Sequence, residues 1–451
     1  MPAQGHHTTH RIASVRVESL FGLYTYDIAV PGSTGQKGPS LLILYGDNGT
    51  GKTTVLQLVY RLLAKEENRG HRTFLARVPF RSLVVRLDSG YIVEASRAHE
   101  ELVGGYQILV KPPSGFEIRA EALVDDRLVV KSSEFMSGDQ QARWRQYLQA
   151  LADLDITFFF FADDRRSHGP KPSADPDRGL EYEVERVLRG QQWRSAAEER
   201  DGLIQDAVAQ LEAWIRDEAL KGANVGEATT NTVYADVARR IAKTRRPGRP
   251  PRAASAPLAE DLAALEARSK PFAALGLVAP PRLSEILLTL EKSPAGTRKV
   301  IANVIEPYVD ALRARLDALQ ALQELLTQFL ISINSFFANK VVTYSLGRGL
   351  QIRPTQGAPL RPTQLSSGEQ QLLLLLAQVM TARQAATVFL IDEPEISLNV
   401  KWQRNLVDTL LSLVAGSEVQ FILATHSLEL LATHRENIVR LAPSVAESKY
   451  E

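Results

Sequence analysis

The chain has 451 residues, of which 44% are hydrophobic and 23% charged, a composition typical of a folded protein and unlike that of a disordered or membrane-embedded one. Its 53 Lys and Arg residues balance 52 Asp and Glu residues, so any attraction to nucleic acid or anionic lipid requires a local patch. The absence of cysteine excludes disulfides, thiolate-bound metals and thiol nucleophiles and fits a reducing compartment. A chain of this length accommodates about two to four domains.

Two features argue against membrane targeting. The longest apolar run, Leu372–Met380, has about half the length of a membrane span. The N-terminal segment lacks the apolar core of a secretory signal, and its histidines, His6, His7 and His10, fit a solvated tail better than a metal site. We therefore expect a cytoplasmic protein without a membrane partner.

Residues 1–168 are predicted to form the first half of an α/β domain, because short alternating or fully apolar runs predict strands and a period near 3.6 predicts helices. The expected strands are two within residues 11–30, Leu41–Tyr45, an antiparallel meander within residues 72–123, and Ile156–Phe161. The expected helices are residues 53–65 and 140–152. The apolar strand Leu41–Tyr45 runs directly into a glycine-rich turn.

Residues 169–338 are predicted to form a helical insertion domain, since they are rich in Ala, Leu, Glu and Arg. The stretch 247–281 contains seven prolines, which predicts a linker between two helical arms. Between Val309 and Ile333 apolar residues recur at spacings of three and four, typical of a helix with one apolar seam. Packing of this seam within its own domain is favoured over a short dimerising coiled coil.

Residues 339–451 are predicted to form the second half of the α/β domain. The expected strands are 340–345, 350–353, Val388–Ile391 and 419–424, and the expected helices are 369–382, 402–414 and a short one after His426. The two terminal parts therefore form one domain that the helical segment interrupts.

The turn after Leu41–Tyr45 carries a phosphate-binding pattern. Residues 46–53, GDNGTGKT, match GxxxxGK[ST] between an expected strand and an expected helix. The glycines allow backbone N–H groups and the helix N-terminus to point at phosphate oxygens. Lys52 is expected along the β- and γ-phosphates of ATP and the Thr53 hydroxyl on Mg²⁺, whereas a simple glycine turn is the alternative. The residues assigned to the nucleotide in this segment are Gly46, Asn48, Gly49, Gly51, Lys52, Thr53 and Thr54.

A second pattern delivers two carboxylates to the end of a buried strand. In VFLIDEP, residues 388–394, Asp392 and Glu393 follow an apolar run, at the sheet edge where ligands of parallel sheets bind. Asp392 is expected to hold Mg²⁺, and Glu393 to act as the base that polarises the attacking water. An acidic turn after a strand is common by itself, but beside a phosphate loop it favours triphosphate hydrolysis.

A third pattern, QLSSGEQQ at residues 364–371, opens a helix with hydroxyls and amides suited to an anion. A capping arrangement of Ser366 with Glu369 is the alternative. The segment lies about twenty residues before the acidic strand and resembles the signature motif of ABC-type ATPases. Residues 395–399 and Thr425–Ser427 resemble the D-loop and the switch histidine, which follow in the same order.

This resemblance implies a P-loop ABC-type ATPase head, with a mixed sheet and an antiparallel β subdomain. It further implies a homodimer or higher homo-oligomer with ATP sandwiched between protomers, so that Ser366, Ser367 and Gly368 contact the nucleotide of the other subunit. His426 would contact the γ-phosphate and join Lys52 and Glu393 as a catalytic residue, although a core or capping histidine is the alternative reading of His426.

Three departures from the ABC pattern stand out. Asn399 occupies the position where many relatives carry an acid, and Ser367 the position where transporters carry Gly. No glutamine follows the strand Ile156–Phe161, where a Q-loop is expected. The charged segment Ala162–Arg165 instead resembles the loop that OLD-like ATPases have at this point.

The phrases IDEPEISLN and ATHSLELL resemble the branch that contains RecF, SMC and OLD-family ATPases, including AAA_15- and AAA_21-like proteins. The 314 residues between Lys52 and Ser366 exceed the spacing of transporter subunits. Within this branch the chain is similar to stand-alone ATPase subunits of anti-phage systems such as Septu, PARIS and the retron-linked ATPases, which act with a separate effector.

The resulting expectation is an ATPase that couples its nucleotide state to holding, sensing or releasing a partner, in phage defence. The alternatives are a DNA-acting genome-maintenance ATPase and a nucleotide-locked scaffold that cages a nuclease or toxin. The segment Arg239–Arg252 contains seven basic and no acidic residues and is a candidate DNA contact, although a solvated linker explains it equally well.

Overall fold

The computed structural model describes residues 10–31, 38–67, 69–98, 101–131, 136–161, 167–168, 201–222, 255–281, 283–383 and 387–442. His6, His7, the charged segment Ala162–Arg165 and the basic segment Arg239–Arg252 lie outside the described residues. By its internal contacts the chain divides into two compact units. The first comprises Met1–Leu203 with Gln378–Glu451, and the second comprises Ile204–Ala377.

The first unit contains a six-stranded antiparallel sheet whose order is β2-β1-β4-β5-β6-β7. Its strands are β1 (Ile12–Leu20), β2 (Tyr24–Ala29), β4 (Ser82–Leu87), β5 (Ile92–Ser96), β6 (Tyr106–Lys111) and β7 (Ile118–Ala122). Alternate residues of these strands are buried, as one apolar face requires. The sequence predicted this meander, but its first residues instead form helix α2 (His71–Arg77).

A second sheet of the first unit is almost entirely parallel and has the order β14-β3-β13-β12-β8-β9. Its strands are β3 (Ser40–Tyr45), β8 (Phe158–Phe161), β9 (Ser167–His168), β12 (Val388–Asp392), β13 (Gln420–Thr425) and β14 (Ile438–Arg440). Only β9 runs antiparallel to its neighbour. The fully apolar strands of the sequence thus become the buried centre of this sheet.

Aromatic side chains align across three neighbouring strands of the parallel sheet. Phe159, Phe389 and Phe421 are in register on β8, β12 and β13, and their ring centroids lie 5.3 and 5.2 Å apart. Such cross-strand aromatic contacts fix the strand register as well as filling the core. Because the register is fixed, the carboxyl ends of β12 and β13 are held side by side.

Three helices of the first unit flank these sheets: α1 (Lys52–Leu63), α3 (Gly138–Asp153) and α9 (Val400–Leu413). Helix α1 directs Val55, Leu58 and Leu62 into the core. The two sheets are joined by the buried side chain of Gln420, which accepts from the Ile12 amide at 2.9 Å and donates to the Ile12 carbonyl at 2.9 Å.

The second unit is mainly helical. It contains most of α4 (residues 201–222), then α5 (Ser255–Ala274), α6 (Leu283–Lys292) and α7 (Ala295–Phe336), followed by the hairpin β10 (Lys340–Ser345) and β11 (Gly349–Pro354). Helix α7 has 42 residues and is therefore about 60 Å long. Most of its predicted seam is buried, including Leu316, Leu326 and Ile333.

The prediction of a linker at residues 247–281 is wrong for the part that the structure describes, since Ser255–Ala274 is a helix with Pro271 inside it. The buried residues Leu262, Leu265 and Phe272 lie on one side of this helix. Packing of this side outweighs the low helix propensity of proline, which a count of prolines does not reveal. Pro271 also lies within the last turn of the helix.

Two further differences concern the C-terminal part. The contact division assigns the hairpin β10–β11 and residues up to Ala377 to the helical unit, whereas the sequence placed them with the head. This grouping reflects local packing, because Asn334 of α7 both donates to the Val342 carbonyl and accepts from its amide. The short helix expected after His426 is absent from the described chain there, which forms turns and a 3₁₀ segment at Arg435–Asn437.

The remaining long helix, α8 (Ser367–Ala382), is buried along most of its length. None of the helices in the described part of the chain is both long enough and apolar enough to cross a bilayer.

Candidate nucleotide-binding site

The phosphate loop lies between β3 and α1, and its conformation depends on glycine. A Cβ on Gly46 would lie 2.9 Å from Thr50 Oγ1 and 3.1 Å from the Leu441 carbonyl. Gly51 has a φ of 85°, and a Cβ there would lie 2.9 Å from Leu20 Cδ2. The loop thus forms a narrow cradle that side chains would fill. Tyr26 supports it by donating from its hydroxyl to the Thr50 carbonyl at 2.8 Å.

Lys52 is folded into this loop. Its side chain is only 6% exposed, and Nζ donates to the carbonyls of Gly46 and Asp47 at 2.8 and 3.2 Å. The same Nζ lies 3.6 Å from Glu393 Oε1. The lysine charge therefore lies within the loop and next to the second acidic residue of the β12 end.

Thr53 and Asp392 meet at the start of α1 and the end of β12. The Thr53 hydroxyl donates to Asp392 Oδ1 at 3.1 Å, and the Asp392 residue is 1% exposed. A hydroxyl and a carboxylate are hard oxygen ligands of the kind that Mg²⁺ prefers. The donor set of this pair therefore fits the ion that the family resemblance implies.

Glu393 begins the turn after β12 in a strained conformation, with a φ of 46° that normally favours glycine. Its amide donates to the Ala424 carbonyl of β13 at 2.8 Å. Its carboxylate is 13% exposed, and Oε2 lies 2.5 Å from Nδ1 of His426. Burial, together with the nearby Glu395 carboxylate, raises the pKa of Glu393 to about 7, although His426 opposes the shift.

Glu395 belongs to the site, and the sequence analysis assigned it no separate role. It is 4% exposed, and its Oε1 accepts from the Thr425 hydroxyl and from the amides of His426 and Ser427, the latter two at 3.0 and 3.1 Å. The only signal in the sequence is a third acid two positions after Glu393. Together, Glu393, Glu395 and His426 place their oxygen and nitrogen atoms within 4.8 Å of one another.

Lys52, Thr53, Glu393 and His426 line one open cavity of about 430 Å³, within the range of small-molecule sites. Its lining consists of Phe21, Asn48, Gly49, Gly51, Lys52, Thr53, Thr54, Glu393, Ile396 and His426. The cavity therefore combines residues between positions 21 and 54 with residues between positions 393 and 426, which lie more than 300 positions apart in the sequence. Phe21 contributes a phenyl ring to this lining, whereas Tyr26 is buried and supports the loop.

The signature residues Ser366, Ser367 and Gly368 lie in the second unit, where α8 begins. Both the amide and the hydroxyl of Ser366 donate to Glu369 Oε2, at 2.9 and 2.7 Å. The other oxygen, Glu369 Oε1, accepts from Lys340 Nζ at 2.6 Å. Burial alone would raise the pKa of Glu369, but the hydrogen bonds from Lys340 and Ser366 outweigh it and hold the pKa below its usual range. The predicted capping arrangement is thus present.

Asn399, the unusual D-loop residue, has a local explanation. It is the N-cap of α9, and its side-chain oxygen accepts from the Trp402 amide at 3.0 Å. Asparagine is among the best residues at this position, so the departure from the ABC pattern is compatible with a stable helix start.

The fold and the cavity define a P-loop ATPase of ABC-type architecture, with a parallel core sheet, an antiparallel β subdomain and a helical insertion. The sequence profile of the family described as "AAA domain, putative AbiEii toxin, Type IV TA system" matches residues 41–432. The chain belongs to this family, which confirms the resemblance drawn from the motifs. A search of curated proteins finds no match.

Solved structures similar to the chain include SMC head domains. One is the head domain with an extended coiled coil from Pyrococcus furiosus, bound to the C-terminal domain of ScpA, at 14% identity and a TM-score of 0.36. The match covers 96% of this chain and 93% of that one. Another is the SMC head with a coiled coil and joint from Pyrococcus yayanosii, at 13% identity and a TM-score of 0.35, covering 96% and 95% of the two chains.

Proposed function

We propose that the protein binds ATP with Mg²⁺ in this cavity and hydrolyses it to ADP and phosphate. The observation that carries the proposal is the convergence of Lys52, Thr53, Glu393 and His426 on one cavity, with the buried Asp392 hydrogen-bonded to Thr53. If residues 46–53 formed only a glycine turn, or residues 392–394 only an acidic turn, the two motifs would have no reason to lie together.

Thr53 and Asp392 are the residues that would hold Mg²⁺, which when bound supplies positive charge to the phosphate oxygens. The phosphate-loop amides and the N-terminus of α1 orient the triphosphate. Lys52 would exchange its carbonyl partners for phosphate oxygens, since both are acceptors for the same ammonium group. Phe21 is the ring available to stack on the adenine base.

Glu393 acts as the general base. A carboxylate with a pKa near 7 accepts a proton from water more readily than one with an ordinary pKa near 4.5. His426, 2.5 Å from Glu393, orients that carboxylate and donates to the γ-phosphate. The reaction needs donors on several sides of the γ-phosphoryl group, because charge spreads over its three oxygens in the transition state.

The one-sided cavity supports action as a homo-oligomer. The phosphate loop covers one side of a triphosphate, and Ser366 and Gly368 of the partner subunit would supply donors on the other. For Ser366 to donate there, its hydroxyl must leave Glu369, so closure and the opening of that hydrogen bond are coupled. Isolated protomers would then hydrolyse ATP slowly.

The biological setting that we infer is phage defence in the cytoplasm, where the ATPase holds, senses or releases a separate effector protein. The family description, which names a putative toxin of a type IV TA system, supports a role in a system of this kind. A genome-maintenance ATPase that contacts DNA through residues 239–252 is the second candidate, based on the charge of that segment. A nucleotide-locked scaffold is the third and uses the same cavity.

Steady-state phosphate release tests the enzymatic part. Lys52→Ala should abolish ATP binding, whereas Glu393→Gln should retain ATP affinity and lower kcat by about 10²–10⁴-fold, the range for loss of a general base. Glu429→Gln is the matched control, because its carboxylate pairs with Arg404 at the surface and does not line the cavity. Wild-type turnover that survives in Glu393→Gln would remove Glu393 as the base.

Light scattering with the Glu393→Gln variant tests the oligomer, since ATP should double its mass at low protein concentration. Co-expression with neighbouring genes separates the biological candidates. A caged effector should copurify in a fixed ratio, whereas a DNA-acting ATPase should show hydrolysis that duplex DNA stimulates.

A further inference from the structure

We propose that Glu395 is a positioning residue of the nucleotide site, whose carboxylate fixes the backbone at His426 and thereby sets the imidazole against the Glu393 carboxylate. Its kinetic consequence depends on the proposed ATP hydrolysis, while its structural role does not. The two aspects can be measured separately.

One carboxylate oxygen of Glu395 accepts hydrogen bonds from several donors at the end of β13. Glu395 Oε1 accepts from the hydroxyl of Thr425 and from the consecutive amides of His426 and Ser427. In a β-strand, successive N–H groups point to opposite edges, so two of them can share an acceptor only where the chain has left the strand. The carboxylate therefore fixes the bend at which β13 ends and His426 begins.

Two turns after β12 bring Glu395 to the end of β13. The segment after β12 is closed by two turns, in which the Ile396 amide donates to the Glu393 carbonyl and the Leu398 amide to the Glu395 carbonyl, at 3.1 and 2.9 Å. These turns direct the Glu395 side chain to the neighbouring strand end. A single carboxylate thus connects the ends of β12 and β13.

The imidazole of His426 lies beside two carboxylates. His426 Nδ1 lies 2.5 Å from Glu393 Oε2 and 3.4 Å from Glu395 Oε1, so both carboxylates border the ring. The ring itself is half exposed. The backbone at His426, which Glu395 holds, therefore contributes to where the ring lies.

The carboxylate of Glu395 is buried. Within the described chain, no Lys or Arg forms an ion pair with Glu395, although the residue is only 4% exposed. A buried carboxylate of this kind is stabilised by N–H and O–H donors. Its removal would take the acceptor from the His426 amide and the Thr425 hydroxyl, whereas the Ser427 amide would keep Thr425 Oγ1 at 2.9 Å. The network continues to α9, because the Ser427 hydroxyl donates to Gln403 Oε1 at 2.7 Å.

Two substitutions distinguish the effect of the position of the Glu395 oxygens from the effect of their charge. Glu395→Gln keeps the length of the side chain and one acceptor oxygen but removes the charge. Glu395→Asp keeps the charge but is shorter by one methylene, so its oxygens cannot reach the same amides. Both are conservative enough to preserve the fold, and Glu429→Gln again serves as the control.

Hydrogen–deuterium exchange measures the structural role without reference to hydrolysis. In Glu395→Asp the amide of His426 should exchange about tenfold faster than in the wild type, whereas Glu395→Gln should retain most of its protection. The Ser427 amide should change less in both variants, because it also donates to Thr425 Oγ1 at 2.9 Å. Equal protection in Glu395→Asp and the wild type would overturn the proposal.

Steady-state kinetics measures the consequence for the reaction. We expect Glu395→Asp to lower kcat about tenfold or more with KM for ATP within about twofold. Glu395→Gln should lower kcat less than Glu395→Asp does, because it keeps an acceptor oxygen in place, although it removes a charge that acts on Glu393. The opposite order, with an active Asp variant and an inactive Gln variant, would mean that charge matters and position does not. If the wild type shows no Lys52-dependent hydrolysis, the proposed function fails, and the exchange rates still decide the role of Glu395.

Discussion

The raised pKa of Glu393 predicts how the catalytic efficiency depends on pH. Burial and the Glu395 carboxylate raise this pKa from 4.5 to about 7, which corresponds to a preference for the protonated form of roughly 3 kcal/mol. A general base acts in its deprotonated form. As pH falls below about 7, kcat/KM for ATP should therefore fall about tenfold per pH unit, and above it should reach a plateau.

The assay is phosphate release at subsaturating ATP between pH 5 and 9, with Mg²⁺ in excess. ATP itself changes ionisation in this range, so nucleotide affinity is measured in parallel with Glu393→Gln, which lacks the titrating carboxylate. Dividing the pH profile of kcat/KM by the pH profile of nucleotide affinity removes the contribution of ATP ionisation and leaves the titration of Glu393. A profile that stays flat down to about pH 5 would refute both the raised pKa and the role of Glu393 as the base.

Three other perturbations have definite expected outcomes. Phe389→Ala should lower the free energy of unfolding by about 3–5 kcal/mol in urea titrations, because the ring is fully buried, whereas removal of the 95% exposed ring of Phe116 should change it by less than about 0.5 kcal/mol. Glu369→Gln should destabilise the protein by about 1–3 kcal/mol at pH 7, and thermal or urea unfolding should show this difference shrinking as pH falls below about 4.5, since the folded-state pKa lies lower. Lys340→Met should reproduce part of the loss at pH 7, and equal stability of that variant and the wild type would contradict the assigned ion pair.

Much of the site was predictable because its residues follow local rules. The phosphate loop requires glycines before Lys52, and an apolar strand followed by Asp392 places a carboxylate at the sheet edge, so spacing alone identified both. Burial of Phe159, Phe389 and Phe421 likewise follows from uninterrupted apolar runs. These features depend on neighbours within a few positions of the chain.

The features that were missed depend on distant partners. Glu395 contacts Thr425, His426 and Ser427 only because β13 lies beside β12, and no local pattern reveals which strand is the neighbour. Lys340 likewise pairs with Glu369, which lies 29 positions away in the sequence, and no local pattern reveals this contact. The helix Ser255–Ala274 was concealed by its prolines, since tertiary packing and not propensity stabilises it.

The position of β3 has a consequence for biosynthesis. This strand, which leads into the phosphate loop, has β13 on one side and β14 on the other, and both come from residues 420–440. A nascent chain leaving the ribosome therefore carries an apolar strand whose two hydrogen-bonding edges stay open until residues 420–440 have been translated. Such a strand is prone to mispairing, so we expect the newly made protein to need shielding by a chaperone and to become competent for nucleotide only after residues 420–440 have left the ribosome.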